Sequence, residues 1–415
     1  MADKSVVKSS RFPSLGYRNF KLLWSGLIVS NVGTWMQNVA QGWLVLHLTN
    51  SPLWLGLLGL SFALPMIVFP FIGGVVVDRI DRIRLLKITQ TGMMLTAFIL
   101  AILTWMNIVS VWHILAASFI GASFLAFDNP ARQALVPDLV PPTALLNALS
   151  LNSATYNGAA LIGPAVAGAL LGPLGAGTLF FINGVSYLAV LFALFAIKNL
   201  PLKVANKPVS LKESAVKGLV YALHTRFILY LLLLSTLAAF FGRSYQNLLP
   251  VFARDIWKTG ANGYGLLLSS GGAGALAGAF GLASVRNLRR HGLLLIISGL
   301  VFSIFIILFA LSPSFIPAVI FLFIAGVTAT MFGTIIATFI QVSVPNELRG
   351  RIISLYTITL IGVPSLGSLG SGAAAEMLGG IQGAPRAVLL GGLIVGIVLI
   401  LVIPLFWKEE INTCK

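Results

Sequence analysis

The sequence predicts an all-α integral membrane protein with twelve transmembrane helices in two pseudo-symmetric six-helix bundles. The chain is 58% hydrophobic and only 9% charged, whereas soluble domains carry roughly a quarter charged residues. Residues 139–197 and 292–346 contain no charge at all. Each of these stretches is long enough for two helices of about 20 residues, the length that crosses the hydrocarbon core of a bilayer.

Apolar runs separated by turn residues define the individual spans. Gly172-Pro173 divides the first charge-free stretch, and Ser312-Pro313-Ser314 divides the second. The twelve predicted spans are residues 19–48, 52–77, 84–107, 110–134, 144–171, 177–197, 227–253, 262–284, 292–312, 315–341, 350–375 and 385–407. They form an N-terminal six-helix bundle (1–197), a linker (198–226) and a C-terminal six-helix bundle (227–415).

The positive charge of the chain follows membrane topology. A net charge of +16 is a common sign of nucleic-acid binding. If both termini are cytoplasmic, however, the tails and the inner loops together hold 23 of the 27 Lys and Arg residues. This asymmetry is the positive-inside rule. It predicts a multi-pass membrane protein with both termini in the cytoplasm and no nucleic-acid partner.

The linker between the sixth and seventh spans carries a helix signal. The letters "SLKE" at 210–213 form a capping box, which satisfies free N–H groups at a helix start. Leu211, Ala215, Leu219 and Leu223 follow at intervals of four. This spacing predicts an amphipathic helix on the cytoplasmic membrane surface.

An internal repeat supports the division into two halves. Gln133 and Pro137 fall on Gln341 and Pro345 at an offset of 208, about half the chain. Matches between other residues occur at offsets of 207 and 209. Two parallel six-helix halves with a substrate site near the membrane midplane are a known transporter plan.

Several motifs resemble the major facilitator superfamily. The stretch "GVVVDRIDRIR" (74–84) is similar to the superfamily pattern between the second and third helices, Gly-x-x-x-Asp-Arg-x-Gly-Arg-Arg. Asp81 stands where this pattern has Gly. The segments "SNVGTWMQ", "FDNPARQALVPDLV", "LLPVFARD", "GYGLLLSSGGAGALAGA" and "VPNELRGRIISLY" resemble the enterobactin-exporter-like branch, also described as transmembrane secretion effectors. The resemblance implies the major facilitator fold over nearly the whole chain.

The resemblance also implies a cytoplasmic gate built from Asp78, Arg82, Asp128 and Arg132. Both acid–base pairs have i, i+4 spacing, which stacks their side chains on one helix face. Asp128 lies within a predicted span, and an ionisable residue there is also a candidate proton carrier. We favour the gate network for Asp128 and keep proton carriage as the alternative. Asp81 is either a second acid in the gate or a solvated helix-start residue.

Polar residues on spans one and seven are candidates for a substrate cavity, because the resemblance implies that these two helices line it. Arg243 with Gln246 and Asn247, and Thr34 with Gln37 and Gln41, each share one helix face. Polar packing between helices is the alternative. A fixed cation at Arg243 would suit an anionic or phenolate-bearing substrate unless Glu376 neutralises it.

Span five contains a partial match to the Gly-Pro motif of antiporters. Gly163, Pro164 and Gly168 fit it, while alanines replace two expected glycines. Small residues permit close helix packing, so packing alone also explains the motif.

We therefore expect a monomeric secondary active transporter that exports a small molecule, a siderophore or an amphipathic drug, in exchange for protons. Cys414 is alone, and neither a metal site nor a cofactor is expected. No Gly-x-x-x-x-Gly-Lys-[Ser/Thr] motif occurs, so a gradient supplies the energy. A lipid or lysolipid flippase of the same fold is the first alternative, and an integral membrane enzyme is the second.

Overall fold

The computed structural model describes residues 12–69, 80–197, 219–284 and 291–413. Within these ranges the chain is helical and contains no strand, which confirms the all-α prediction. We label the helices α1 Arg18–Thr49, α2 Pro52–Val68, α3 Arg82–Trp105, α4 Val111–Leu139, α5 142–174, α6 176–196, α7 Arg226–Ile256, α8 Gly260–Ala283, α9 His291–Ala310, α10 Phe315–Ser343, α11 Asn346–Met377 and α12 Ala384–Thr413.

Helices α5 and α6 arise from one continuous helical stretch, Pro142–Ala196, of 55 residues. Gly175 breaks this stretch, with φ 74° and ψ 166°, a conformation that glycine adopts without strain. The break falls within the predicted turn of residues 172–176. Each half is long enough to cross a bilayer.

Nine helices in the described part of the chain, with Pro142–Ala196 counted once, are long and apolar enough to span a membrane. Division of that stretch at Gly175 gives ten helices, and α1 and the shorter apolar α2 bring the number to twelve. This number agrees with the twelve predicted spans. The protein is therefore a multi-pass membrane protein.

By its internal contacts the chain divides into two compact units. The first contains residues 1–41 and 65–208, and the second contains residues 42–64 and 209–415. This division differs from the predicted bundle boundary in one respect, because residues 42–64 group with the second unit. The predicted linker helix starts at residue 210, outside the described residues, and only its end is described, where residues 219–224 are helical.

In the first unit, α1 packs against α5 and α6. A Cβ on Gly33 would lie 2.6 Å from the Ser186 hydroxyl of α6, and one on Gly163 would lie 2.5 Å from the Cβ of Trp35. Glycine therefore permits both close approaches. A buried cluster at the start of α1 includes Phe20 and closes this end of the unit with residues of α3 to α6.

In the second unit, α8 and α10 meet backbone to backbone. A Cβ on Gly274 would lie 2.0 Å from the Phe323 carbonyl oxygen, and one on Gly326 would lie 2.2 Å from the Gly271 carbonyl oxygen. These separations are far below van der Waals contact. The glycine-rich α8 sequence is therefore what brings these two helices together, as small residues do in membrane proteins.

Residues 42–64 are held to the rest of the second unit by polar and backbone contacts. Arg254 Nη1 donates to the Leu46 carbonyl at 2.8 Å, near the end of α1. The Ser51 hydroxyl donates to Glu376 Oε2 at 2.8 Å. Gly56 packs so closely on α11 that a Cβ would lie 2.7 Å from the carbonyl oxygen of Ser368.

Candidate functional site: a cavity within the second unit

A cavity of about 310 Å³ lies inside the second unit. It is bounded by α7, α9, α10 and α11, and its walls are mainly apolar. The lining residues are Ser235, Ala238, Ala239, Arg243, Phe302, Ala329, Thr330, Phe332, Gly333, Thr334, Ala337, Tyr356 and Leu360. A concave, mostly apolar pocket with a few polar groups is the usual form of a small-molecule site.

Helix α7 is irregular where it borders the cavity. Its α-helical part ends at Leu237, a π-helical turn covers Ala238–Gly242, and a 3₁₀ turn covers Ser244–Leu248. Arg243 lies at the junction between these two turns. Gly242 permits the close approach of α9, since a Cβ there would lie 2.6 Å from the Phe302 ring. Single π turns inside helices occur frequently at functional sites.

Arg243 is the only charged residue among those that line the cavity. It is exposed and forms no ion pair with any residue whose side chain the structure describes. The three acids of the second unit whose side chains the structure describes lie elsewhere. Asp255 pairs with Arg254, Glu376 accepts from Ser51, and Glu347 is exposed in the first turn of α11. Among the described side chains, the positive charge at the cavity wall therefore has no acidic partner.

Hydroxyl groups supply the other polar contacts in the cavity wall. The Tyr356 hydroxyl donates to the Gly333 carbonyl oxygen at 2.5 Å, so its own lone pairs remain available as acceptors. The Ser235 hydroxyl is hydrogen-bonded to Thr359 at 2.7 Å, which links α7 to α11. Among the cavity-facing hydroxyls, those of Thr330 and Thr334 lie on α10.

Of the six residues predicted for the cavity, the structure places Arg243 in this one. Gln246 is exposed and Asn247 half-buried, and neither is among the lining residues. In the first unit, Thr34 and Gln37 make contacts between helices. The Thr34 hydroxyl lies 3.3 Å from that of Tyr187, and Gln37 Oε1 accepts from Asn183 Nδ2 at 2.7 Å.

Gln41 is the remaining predicted cavity residue. It is buried, and its Nε2 has no hydrogen-bond partner among the described residues. A buried amide without a partner is uncommon in proteins.

Three of the four predicted gate residues, Arg82, Asp128 and Arg132, take part in two separate ion pairs in the first unit. Arg82 donates to Asp138 Oδ2 at 2.5 Å and to the Ala134 carbonyl at 2.9 Å. The acid that pairs with Arg82 is Asp138 of α4, which was not among the predicted gate residues, and Asp128 pairs with Arg132 instead. The proposed latch residue Asp78 lies outside the described residues.

Asp128 occupies a fully buried polar site. Its Oδ1 accepts from the Thr89 hydroxyl at 2.9 Å and from Gln90 Nε2 at 2.8 Å. Its Oδ2 lies 3.1 Å from Arg132 Nη2, an ion-pair distance without hydrogen-bond alignment. Arg132 also donates to Asn129 Oδ1 at 2.6 Å.

Asp81 is the N-cap of α3. Its side chain accepts from the Arg84 backbone N–H at 2.8 Å, which satisfies one free donor of the first turn. Asp81 is exposed, so of the two interpretations left open by the sequence the structure supports the helix-start residue.

The antiporter-like motif of α5 is buried. Gly163, Pro164 and Gly168 all lie in the interior of the first unit. Gly163 faces Trp35 and Val32 of α1.

Sequence reasoning missed Asp138 and the cavity hydroxyls. Asp138 was assigned to a loop because span four was predicted to end at residue 134, whereas α4 continues to Leu139. One signal in the sequence could have pointed to Asp138. It ends the segment "QALVPD", six residues after Arg132, and the repeat comparison used this segment only to align the two halves.

Apolar spanning helices around a cavity with polar groups are the architecture typical of a membrane transporter. The fold is that of the major facilitator superfamily. The structure superposes on an inward-facing, unoccupied bacterial homologue of the human lysosomal transporter Spinster with a TM-score of 0.74 and 15% identity, covering 95% of this chain and 98% of that one.

The chain belongs to the family of transmembrane secretion effectors, whose sequence model matches residues 9–413. This confirms the branch that the motifs indicated. It is 26% identical to the staphyloferrin A transporter of Staphylococcus aureus over 86% of this chain and 90% of the relative. It is 26% identical to the enterobactin exporter of Shigella boydii (92% and 91%), and 25% identical to macrolide efflux protein A of Streptococcus pyogenes (82% and 86%).

Proposed function

We propose that this protein is a monomeric secondary active exporter of the bacterial inner membrane, with both termini in the cytoplasm. It moves a small amphipathic molecule, a siderophore or a drug, outward in exchange for protons. The names of its relatives support export of such molecules, since two carry siderophores and one removes macrolides. The absence of a nucleotide-binding motif in the sequence supports a gradient as the energy source.

The observation that carries this proposal is the cavity of the second unit. A volume of about 310 Å³ is in the range of small-molecule sites. Its wall combines one cation and several hydroxyls with apolar side chains. Polar groups within membrane helices mark substrate pathways, because facing lipid is costly for them. In our proposal the substrate binds here during an alternating-access cycle.

We further propose that the acid–base pairs of the first unit form the cytoplasmic gate. Arg82 with Asp138 joins the start of α3 to the end of α4. Asp128 with Arg132 lies deeper and is tied to α3 through Thr89 and Gln90. Asp78, four residues before the start of α3 in the same motif, is assigned to this gate from the sequence.

Filling the cavity tests the proposal. Ala329 lines it, and Ala329→Trp places an indole in the space that the substrate needs. Ile320→Trp on the same helix is the matched control, because Ile320 is 53% exposed and does not line the cavity. Cells that lack the protein should accumulate siderophores or drugs. Expression of wild type or Ile320→Trp should return this accumulation to normal, and expression of Ala329→Trp should not.

A protonophore should raise accumulation in wild-type cells to the level of cells without the protein. Equal export by Ala329→Trp and wild type would show that the substrate does not pass through this cavity. Translocation of a fluorescent lysolipid with no effect on soluble substrates would favour the flippase.

A further inference from the structure

We infer that the cavity of the second unit selects an amphipathic organic anion, with the charged group at Arg243 and a flat apolar ring between Phe302, Phe332 and Leu360. The inference rests on the proposed function and narrows its substrate from small amphipathic molecules in general. It separates anionic substrates from the cationic drugs that efflux proteins also carry.

The charge of the cavity leads to the first part of the inference. Arg243 is exposed at the mostly apolar wall of the cavity, where a bound ligand that displaces water can supply a counter-charge partner to the guanidinium. Arg243 has no such partner among the side chains that the structure describes, and Glu376, the acid that the sequence suggested could neutralise it, is hydrogen-bonded by Ser51 away from the cavity. A pocket with one sign of charge and apolar walls concentrates ligands of the opposite sign.

The irregular part of α7 makes this charge accessible. Arg243 follows the π turn Ala238–Gly242, and Ala238 and Ala239 of that turn line the cavity beside it. Alanine side chains are too short to cover the guanidinium. Its planar fork of donors suits carboxylate, sulfonate or phenolate oxygens.

The remaining wall leads to the second part. Phe302 and Phe332 are buried and contribute aromatic surface, and Leu360 adds an aliphatic contact from α11. Aromatic side chains stack on flat rings with favourable geometry. The lone pairs of Tyr356, whose proton is donated to Gly333, accept a hydroxyl or amide donor on the same ligand.

Three probes with the same fused two-ring size test the sign of the charge. Naphthalene-2-sulfonate is a permanent anion, naphthalene-2-sulfonamide is neutral, and N-methylquinolinium is a permanent cation. Transport of each is measured in proteoliposomes of the full-length protein with an imposed pH gradient. The variants are Arg243→Gln and Arg243→Lys, with Arg386→Gln as the control, because Arg386 bonds the Leu378 carbonyl and does not line the cavity.

We expect wild type and Arg386→Gln to transport the anion in preference to the other two probes. Arg243→Gln should lower the apparent affinity for the anion about tenfold to a hundredfold, as expected for loss of hydrogen bonds to a charged group. It should leave the neutral probe unchanged, and Arg243→Lys should fall between Gln and wild type.

Transport of N-methylquinolinium as fast as the anion, or equal losses for all three probes in Arg243→Gln, would overturn the anion assignment and leave the exporter proposal standing. Failure of wild type to move any probe, together with normal substrate accumulation in cells lacking the protein, would overturn both.

Discussion

Removing the charge of Asp128 distinguishes its two candidate roles, a member of a structural charge network and a proton carrier. The carboxylate is fully buried and receives hydrogen bonds from Thr89 and Gln90. Asp128→Asn keeps one oxygen acceptor and removes the charge. If the charge serves a structural network, the variant is destabilised. If it carries a proton, the neutral amide resembles the protonated acid and the fold tolerates it.

The expected loss can be worked from the contacts. A hydrogen bond to a charged acceptor contributes about 1.5–3 kcal/mol and a neutral one about 0.5–1.5 kcal/mol, so weakening two of them costs about 2–3 kcal/mol. Arg132 is 19% exposed and loses its ion pair, which adds about 1 kcal/mol because water partly screens it. The sum, about 3–4 kcal/mol, agrees with the range for breaking a buried pair.

The assay is unfolding of the full-length protein in mixed detergent micelles, run as a double-mutant cycle. Arg132→Gln removes the other charge, so the Asp128→Asn/Arg132→Gln double variant should be more stable than the sum of the single changes by about 1–2 kcal/mol. The structural reasoning would be refuted if Asp128→Asn were as stable as wild type and lost only the export that a pH gradient drives. Asp128 would then be the proton carrier.

Two further predictions concern the gate and the helix packing. Asp78→Asn should impair transport while the amount of protein in the membrane stays near normal, measured by export assay and immunoblot; wild-type transport would remove Asp78 from the gate. Gly326→Ala should destabilise the second unit by about 1–3 kcal/mol, because its Cβ would lie 2.2 Å from the Gly271 carbonyl oxygen. Gly281→Ala on α8 is its control, since no atom lies within 4 Å of the added Cβ, and equal thermal stability of the two variants would contradict the packing argument.

The sequence was sufficient for the helices because each span is marked by a long run without charge. It was less informative at the site. Arg243, Gln246 and Asn247 share a face only in a regular α-helix, and the π turn before Arg243 and the 3₁₀ turn after it change the angle between these residues. No pattern in the sequence predicts either turn, and the close contact of Gly242 with Phe302 is visible only in the structure.

The cavity hydroxyls could not be chosen from sequence for another reason. Ser and Thr side chains in membrane helices often bond to a carbonyl of the preceding turn, as Thr328 does to Ile324. A hydroxyl that lines a cavity looks the same in sequence as one that bonds to its own helix. Ser235 and Thr334 are distinguished only by the helices around them.

The break at Gly175 has a consequence for how the protein enters the membrane. Residues 139–197 contain no charge, and the turn that divides α5 from α6 is equally free of it. Moving this turn across the bilayer during synthesis therefore requires no charged group to leave water. Because basic residues determine loop orientation, the turn itself has no orienting signal. We expect α5 and α6 to insert together as a hairpin whose direction is decided by Arg132 and Lys198 on either side.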